Sequence, residues 1–283
     1  QDLFNELKEI PPEEHLKYIQ YRISQIKNDE QRAIAEIFIN VGIHAADYNH
    51  QNNKVIVLIH GIRTYAEWFD LLKYEIEKNK NTSVYFIKYG FFDALRFWFP
   101  FFTRTGVINH VKRQLRNIRN EHRTDDFIIV AHSFGTYVIS RILSSESDID
   151  IKRLLMCGSI IPEKFRWDLI PKLPKPILND CGTRDIWPIA AKALSWGYGT
   201  SGSFGFNSIH IEDRYFNVDH SGFFNSDFIT TYWLPFIIDG KIKSSNETLS
   251  RSKPSYLKSI MSIIPLKLII TFLLLYATLT SVL

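Results

Sequence analysis

Six short apolar runs alternate with amphipathic stretches along the middle of the chain, and this alternation is the feature that most restricts the fold. Runs of this length without polar alternation are typical of strands that are buried on both faces. Right-handed crossovers between them place helices on both faces of a mainly parallel sheet, whose sites form at the carboxyl ends of strands. The predicted strands are Val55 to His60, Val84 to Tyr89, Phe127 to Ala131, Leu154 to Cys157, Pro176 to Asn179 and Ile209 to Phe216.

Residues 1–49 have helical periodicity instead. Apolar residues recur at helical spacing in two successive segments, which predicts an N-terminal helical hairpin. The hairpin contains no chemical motif, so it is expected to pack on the domain that follows, and a protein partner, if there is one, is expected here. The residues that set the pattern are Leu16, Ile19, Ile23 and Ile26, then Ile34, Ile37, Phe38 and Val41.

Charge and cysteine content exclude several classes of function. Residues 241–283 hold six bases and one acid, so the remainder, with 28 bases and 29 acids, is nearly neutral. Nucleic acid is therefore not expected as a partner, because phosphate binding requires a basic face. Cys157 and Cys181 lie inside apolar stretches, which indicates neither a disulfide framework nor a cysteine metal site. No metal and no organic cofactor is predicted.

The C-terminal part of the chain reads as a membrane anchor. A polar linker at residues 239–259 precedes residues 260–283, which carry a single charge at Lys267. As a helix this segment would extend about 36 Å, against roughly 30 Å of bilayer hydrocarbon, so it can span if Lys267 reaches the interface. Basic residues on its N-terminal side place the globular domain on the cytoplasmic side of a single-pass protein. A buried or interfacial helix is the alternative.

A serine in the middle of the chain has the surroundings of a nucleophile. Ser133 lies between an apolar run and a helical segment, with Ala131 two residues before it and Gly135 two residues after it. A serine on a tight strand-to-helix turn needs small residues at both positions, because larger side chains would collide with neighbouring backbone. The usual pattern is Gly-x-Ser-x-Gly, from which Ala131 departs by one methyl group.

Two further residues follow Ser133 in the order that a hydrolytic triad requires. Asp185 comes three residues after the glycine turn at Gly182 that follows the fifth predicted strand, and Asp180, nearer that strand, is the competing acid. His220 lies in the loop between the last predicted strand and a helical segment at residues 223–236, and no other histidine of the chain has this setting.

These three positions resemble the α/β-hydrolase family over residues 50–238. The resemblance implies that Ser133 is the nucleophile, that His220 takes its proton and that Asp185 orients and stabilises the imidazole. The turn that begins at His60 resembles the oxyanion loop of the family, so the backbone N–H groups of Ile62 and Phe134 would hold the developing oxyanion. His60 itself is expected to be structural.

The substrate prediction depends on residues around this site. Residues 91–102 carry seven aromatic side chains, which form either core packing or an apolar wall for an acyl chain. Phe92 and Trp98 from that segment, and Arg63 in the oxyanion turn, are the candidate substrate-binding residues, although an ordinary ion-pair role is favoured for Arg63. Together with the predicted anchor, these residues indicate a membrane-tethered hydrolase of a lipid-like carboxylic ester, acting through an acyl-enzyme. A thioesterase or peptidase with the same triad, and a non-catalytic interaction module on the same fold, remain as alternatives.

Overall fold

The computed structural model describes residues 6, 10–11, 14–37, 39, 53–61, 67–88, 103–245, 266–268, 271–272 and 280. Two compact units are present, Gln1–Asn52 and Asn53–Leu283. In the first unit, helix α1 (His15–Ser24) is followed by a helical stretch at residues 29–37, where the sequence predicts a helical hairpin. The predicted boundary at residues 49–50 lies outside the described residues.

The second unit is built on one six-stranded sheet in which every pair of neighbours is parallel. The strand order β2-β1-β3-β4-β5-β6, together with the helices, fits the α/β-hydrolase class. All six predicted strands are present. They are β1 (Lys54–Ile59), β2 (Thr82–Ile87), β3 (Asp126–His132), β4 (Arg153–Cys157), β5 (Ile177–Gly182) and β6 (Glu212–Phe216).

Helices cover both faces of the sheet, as the continuous apolar strands predict. Successive residues of a strand point to opposite faces. Val57 packs in the same core cluster as Leu115 on one face, and Leu58 packs with Leu72 on the other. The helices are α2 (Glu67–Glu77), α3 (Thr103–Glu121), α4 (Phe134–Ser145), α5 (Trp187–Leu194), α6 (Ser201–Phe204), α7 (Ser226–Phe228) and α8 (Leu234–Asp239), with a 3₁₀ turn at Trp167–Leu169 and a π turn at Ile229–Trp233.

In two strands a predicted bound is wrong by three residues, whereas the other bounds differ by at most two. The fifth strand continues past Asn179 to Gly182, because the charged Asp180 finds a buried partner on the neighbouring strand. The sixth begins at Glu212, and Ile209 is 97% exposed instead of lying in the sheet. Both errors concern residues whose environment depends on distant parts of the chain.

The described residues give no support to the predicted membrane anchor. No helix among them is both long enough and apolar enough to cross a bilayer. Of residues 260–283, only 266–268, 271–272 and 280 are described. Lys267 donates through Nζ to the carbonyl oxygens of Lys192 at 3.2 Å and Ser195 at 3.1 Å, at the C-terminal end of α5.

Candidate active site

Ser133 occupies a strained turn between β3 and α4. Its φ of 54° and ψ of −122° lie in a region that residues other than glycine rarely adopt, at a cost of about 1–3 kcal/mol. Hydrogen bonds on both sides hold the turn: the N–H of Ser133 donates to Cys157 O at 3.1 Å, and its carbonyl oxygen accepts from the N–H and the hydroxyl of Thr136 at 3.0 and 2.6 Å. The serine is therefore fixed at the carboxyl end of β3 and remains partly exposed.

Gly135 has the steric role expected of a small residue near Ser133. A Cβ atom at Gly135 would lie 2.4 Å from the carbonyl oxygen of Ile59 and 2.7 Å from that of His60. The first turn of α4 thus packs directly on the end of β1, and only glycine allows this approach. Ala131 is fully buried and is paired with Ile59 and Met156 in the central strands.

Asp185 and His220 lie in contact beyond the carboxyl ends of β5 and β6, at the end of the sheet where Ser133 follows β3. The Nδ1 atom of His220 is 2.8 Å from Oδ2 of Asp185, whose side chain is fully buried, whereas the imidazole is 16% exposed. The second carboxylate oxygen, Oδ1, accepts from the N–H of Trp187 at 2.9 Å. With both oxygens engaged, the carboxylate has one orientation, and it selects the tautomer of His220 that carries a proton on Nδ1.

The two loops that carry this pair are bound to each other through their backbones. Thr183 N–H donates to Phe216 O at 2.8 Å, and Arg184 N–H donates to Val218 O at 3.1 Å. A Cβ atom at Gly182 would lie 2.8 Å from Val218 O and 3.0 Å from the Cβ of Asp185. The glycine that ends β5 therefore permits the close approach that brings the acid to the histidine.

Asp180, the competing acid, is engaged elsewhere. Its two oxygens accept from Nε and Nη2 of Arg214, both at 2.8 Å, and Oδ2 also accepts from Nε1 of Trp233 at 2.7 Å. Asp180 and Arg214 are direct neighbours across β5 and β6, and both are buried. The carboxylate of Asp180 is thus part of an ion pair in the core, and Asp185 is the acid that meets His220.

His132 was not predicted as a site residue, yet it is the side chain that lies between the serine and the histidine loop. Its ring centroid is 4.6 Å from that of His220, and its Nε2 is 3.1 Å from the carbonyl oxygen of His220. Burial, and then the charge of His220, hold the pKa of His132 well below its usual range, so its imidazole is neutral. A neutral ring with a proton on Nε2 donates to that carbonyl and positions the loop. Adjacency to Ser133 is the only sequence signal that points to this residue.

Close contacts with two glycines complete the arrangement. A Cβ atom at Gly61 would lie 3.2 Å from Ser133 Oγ, and one at Gly158, whose φ is +55°, would lie 2.8 Å from Cε1 of His220 and 3.3 Å from Cδ2 of His132. Among the hydrogen bonds between described residues, none joins Ser133 Oγ to His220. Hydrogen bonds of this kind are often long in unliganded enzymes and tighten when substrate binds.

The remaining predicted site residues fall into two groups. Ile62, Arg63, Phe92 and Trp98 lie outside the described residues. Phe134 is the first residue of α4, so its N–H belongs to the positively polarised end of that helix. His60 is buried, and burial lowers the pKa of its imidazole, which agrees with a structural role. Among the residues that the structure describes, no cluster of histidine, cysteine and acidic side chains could hold a metal ion.

Comparison with known proteins finds similarity at the level of the fold. No family model matches the chain, and no curated protein matches it. Solved structures of α/β serine hydrolases and esterases do. A lidless α/β serine hydrolase from Xanthomonas campestris has 12% identity and a TM-score of 0.44, with 69% of this chain and 84% of that chain covered.

Two further structures give similar values. An esterase from an Arctic intertidal metagenomic library, described as cold-adapted, has 16% identity and a TM-score of 0.44, covering 67% of this chain and 80% of its own. Est1E from Butyrivibrio proteoclasticus has 14% identity and a TM-score of 0.43, covering 64% and 85%. Because identities and TM-scores are low, the reaction of this protein has to be inferred from its own residues.

Proposed function

We propose that this protein is a serine hydrolase that cleaves a carboxylic ester through an acyl-enzyme on Ser133. The observation that carries the proposal is the contact of 2.8 Å between Asp185 Oδ2 and His220 Nδ1, on the same sheet edge as a serine held at a φ of 54°. An imidazole paired to a buried carboxylate is a general base, and a hydroxyl on a strained turn at a helix N-terminus is the nucleophile that it activates.

The reaction follows from these positions. Ser133 Oγ bonds to the ester carbonyl carbon while its proton passes to His220, and Asp185 stabilises the imidazolium that forms. The N–H of Phe134, with Ile62 as its predicted partner, holds the charge on the carbonyl oxygen. The carbon–oxygen bond to the alcohol then breaks and His220 gives the proton to the departing oxygen. Water next attacks the acyl carbon and loses its proton to His220. The bond between that carbon and Ser133 Oγ then breaks, His220 returns the proton to Oγ, and the acid is released.

A lipid-like ester and a membrane location belong to the same proposal. Support comes from the apolar composition of residues 260–283, the basic residues that precede them and the aromatic segment at residues 91–102. Thioester and amide bonds can be cleaved by the same side chains, and a module that kept this fold without turnover would retain the same pair of loops.

Labelling with a fluorophosphonate separates the enzyme from the non-catalytic module. Wild-type protein should be labelled, Ser133→Ala should not, and His220→Ala should lose most of the label. Turnover of Ser133→Ala should fall by roughly 10⁶-fold, as when the nucleophile of a serine protease is removed. Ser144→Ala is the matched control, because this exposed serine lies on the same helix, and it should label as the wild type does. Label that persists in Ser133→Ala would overturn the assignment.

Two measurements test the membrane and lipid parts separately. Carbonate extraction compares the full chain with a chain that ends at Asp239, and equal solubility of the two would exclude the anchor. A profile of turnover against acyl chain length should rise towards long chains, whereas a preference for short, water-soluble esters would remove the lipid substrate while leaving the hydrolase intact.

A further inference from the structure

Trp187 is a large apolar side chain exposed beside the catalytic histidine. Its side chain is 61% exposed, and its ring centroid is 6.3 Å from that of His220. Ile186, the preceding residue, is 49% exposed. Burial in the core therefore does not account for a tryptophan at this position, whereas contact with a substrate does.

One carboxylate holds the imidazole of His220 and the backbone of Trp187. Asp185 holds His220 through Oδ2 and the backbone N–H of Trp187 through Oδ1. Trp187 is also the first residue of α5, with Pro188 directly after it. The backbone that carries the indole thus has a defined position relative to the imidazole, and this is what a preorganised binding surface requires.

Among the described residues, three groups close the buried sides of His220. His132, at 4.6 Å between ring centroids, and Gly158, which would place a Cβ atom 2.8 Å from Cε1, are both buried. Asp185 occupies Nδ1. The exposed ring of Trp187, at 6.3 Å, is therefore available to a group that approaches the imidazole from solvent.

Proton transfer from His220 determines which part of the substrate lies near Trp187. To receive its proton, the oxygen of the departing alcohol must come within about 2.6–3.2 Å of the second ring nitrogen of His220. The carbon attached to that oxygen then lies on the solvent side of the imidazole, within reach of the exposed indole. We propose that Trp187 and Ile186 bind the alcohol portion of the ester, and that the preferred substrates are esters of apolar, long-chain or aromatic alcohols. This inference rests on the proposed function.

Binding of the alcohol portion by Trp187 affects acylation but not deacylation. Trp187 contacts the substrate while the alcohol is attached, so it contributes to acylation. The acyl-enzyme no longer contains the alcohol, so Trp187 makes no contact that affects deacylation. A residue that binds the acyl chain would affect both steps.

The test uses two series of esters with wild type, Trp187→Ala and Trp187→Phe. In the first series, acetates of methanol, butanol, octanol and benzyl alcohol vary only the alcohol. In the second, methyl esters of acetic, butanoic and octanoic acid vary only the acyl chain. Trp187→Ala should lower kcat/KM for octyl and benzyl acetate by about tenfold, a loss that shrinks as the alcohol becomes smaller, and Trp187→Phe should recover most of it. Tyr74→Ala, which removes an equally exposed aromatic at 63%, is the control.

The results distinguish binding of the alcohol by Trp187 from binding of the acyl chain, and both from failure of the proposed function. Deacylation of the acetyl-enzyme, measured by partitioning between water and added methanol, should be equal in wild type and Trp187→Ala. A loss that follows acyl chain length, or no loss in either series, would overturn the inference while fluorophosphonate labelling of the wild type still supports the hydrolase. Absence of labelling and of turnover in the wild type would instead remove the proposed function, and the role of Trp187 with it.

Discussion

Asp180 and Asp185 are both fully buried, yet their surroundings give them opposite tasks. Asp180 lies inside β5 and places its oxygens on Arg214 and Trp233, which are buried as well. Asp185 lies beyond the end of the strand and meets His220, whose ring reaches solvent. Burial alone therefore does not distinguish a structural acid from the proposed catalytic one. The partner does: a permanently charged guanidinium makes an ion pair, whereas an imidazole can exchange protons.

The largest expected effect is a loss of turnover when Asp185 is replaced. Asp185→Asn keeps the acceptor for Trp187 N–H but cannot favour the tautomer of His220 with a proton on Nδ1, so turnover should fall by roughly 10⁴-fold. The free energy of unfolding should change by no more than about 1 kcal/mol, because shape and one hydrogen bond are retained. Ester hydrolysis and urea denaturation measure the two quantities. Asp219→Asn, an exposed acid next to His220, is the control, and wild-type turnover in Asp185→Asn would refute the assignment of the acid.

Substitution of Asp180, the acid in the core, should lower stability and leave turnover nearly unchanged. Asp180→Asn leaves the buried Arg214 without its countercharge, so the free energy of unfolding should fall by about 3–5 kcal/mol. Turnover per folded molecule should stay near that of the wild type, measured at a temperature where the variant is folded. Replacing both partners, as Asp180→Leu with Arg214→Met, should restore much of the lost stability, since no charge then remains buried. A double variant less stable than Asp180→Asn would contradict this account of the pair.

A third change acts on the glycine that separates the two acids. In Gly182→Ala the new methyl group would meet Val218 O at 2.8 Å and the Cβ of Asp185 at 3.0 Å, so the two loops must move apart. We expect a loss of about 1–3 kcal/mol in stability, with turnover reduced further by displacement of Asp185 from His220. Gly106→Ala, in α3, is the matched control: a Cβ there meets nothing within 4 Å, and the substitution should stabilise the helix by up to about 1 kcal/mol. Equal effects of the two substitutions would show that the contact at Gly182 is unimportant.

The two acids also show which parts of the fold and of the candidate site the sequence could predict and which it could not. Apolar runs are a local property, so all six strands and the parallel sheet were predictable from them. The turn at Ser133 was predictable because its small neighbours are close in sequence. The partners of Asp180 and the contact of His132 with the loop of His220 were not, because they join residues far apart in the chain. Trp187 gave no signal as a site residue, since a tryptophan at the start of a helix is usually core.

The smallest expected effect is on the pH dependence of stability, to which the buried imidazole of His132 contributes. Burial keeps the pKa of His132 well below its usual value near 6.5, so the unfolded chain binds a proton that the folded protein cannot. The free energy of unfolding should therefore fall as pH decreases below about 6.5, and should gain nothing from this residue above that range. His60, whose pKa burial also lowers, contributes in the same direction. Urea midpoints measured between pH 5 and 8 should show a shallower acid slope for His132→Gln than for the wild type, with parallel curves at the alkaline end. An unchanged acid slope would mean that His132 becomes protonated without leaving its place between Ser133 and the loop of His220.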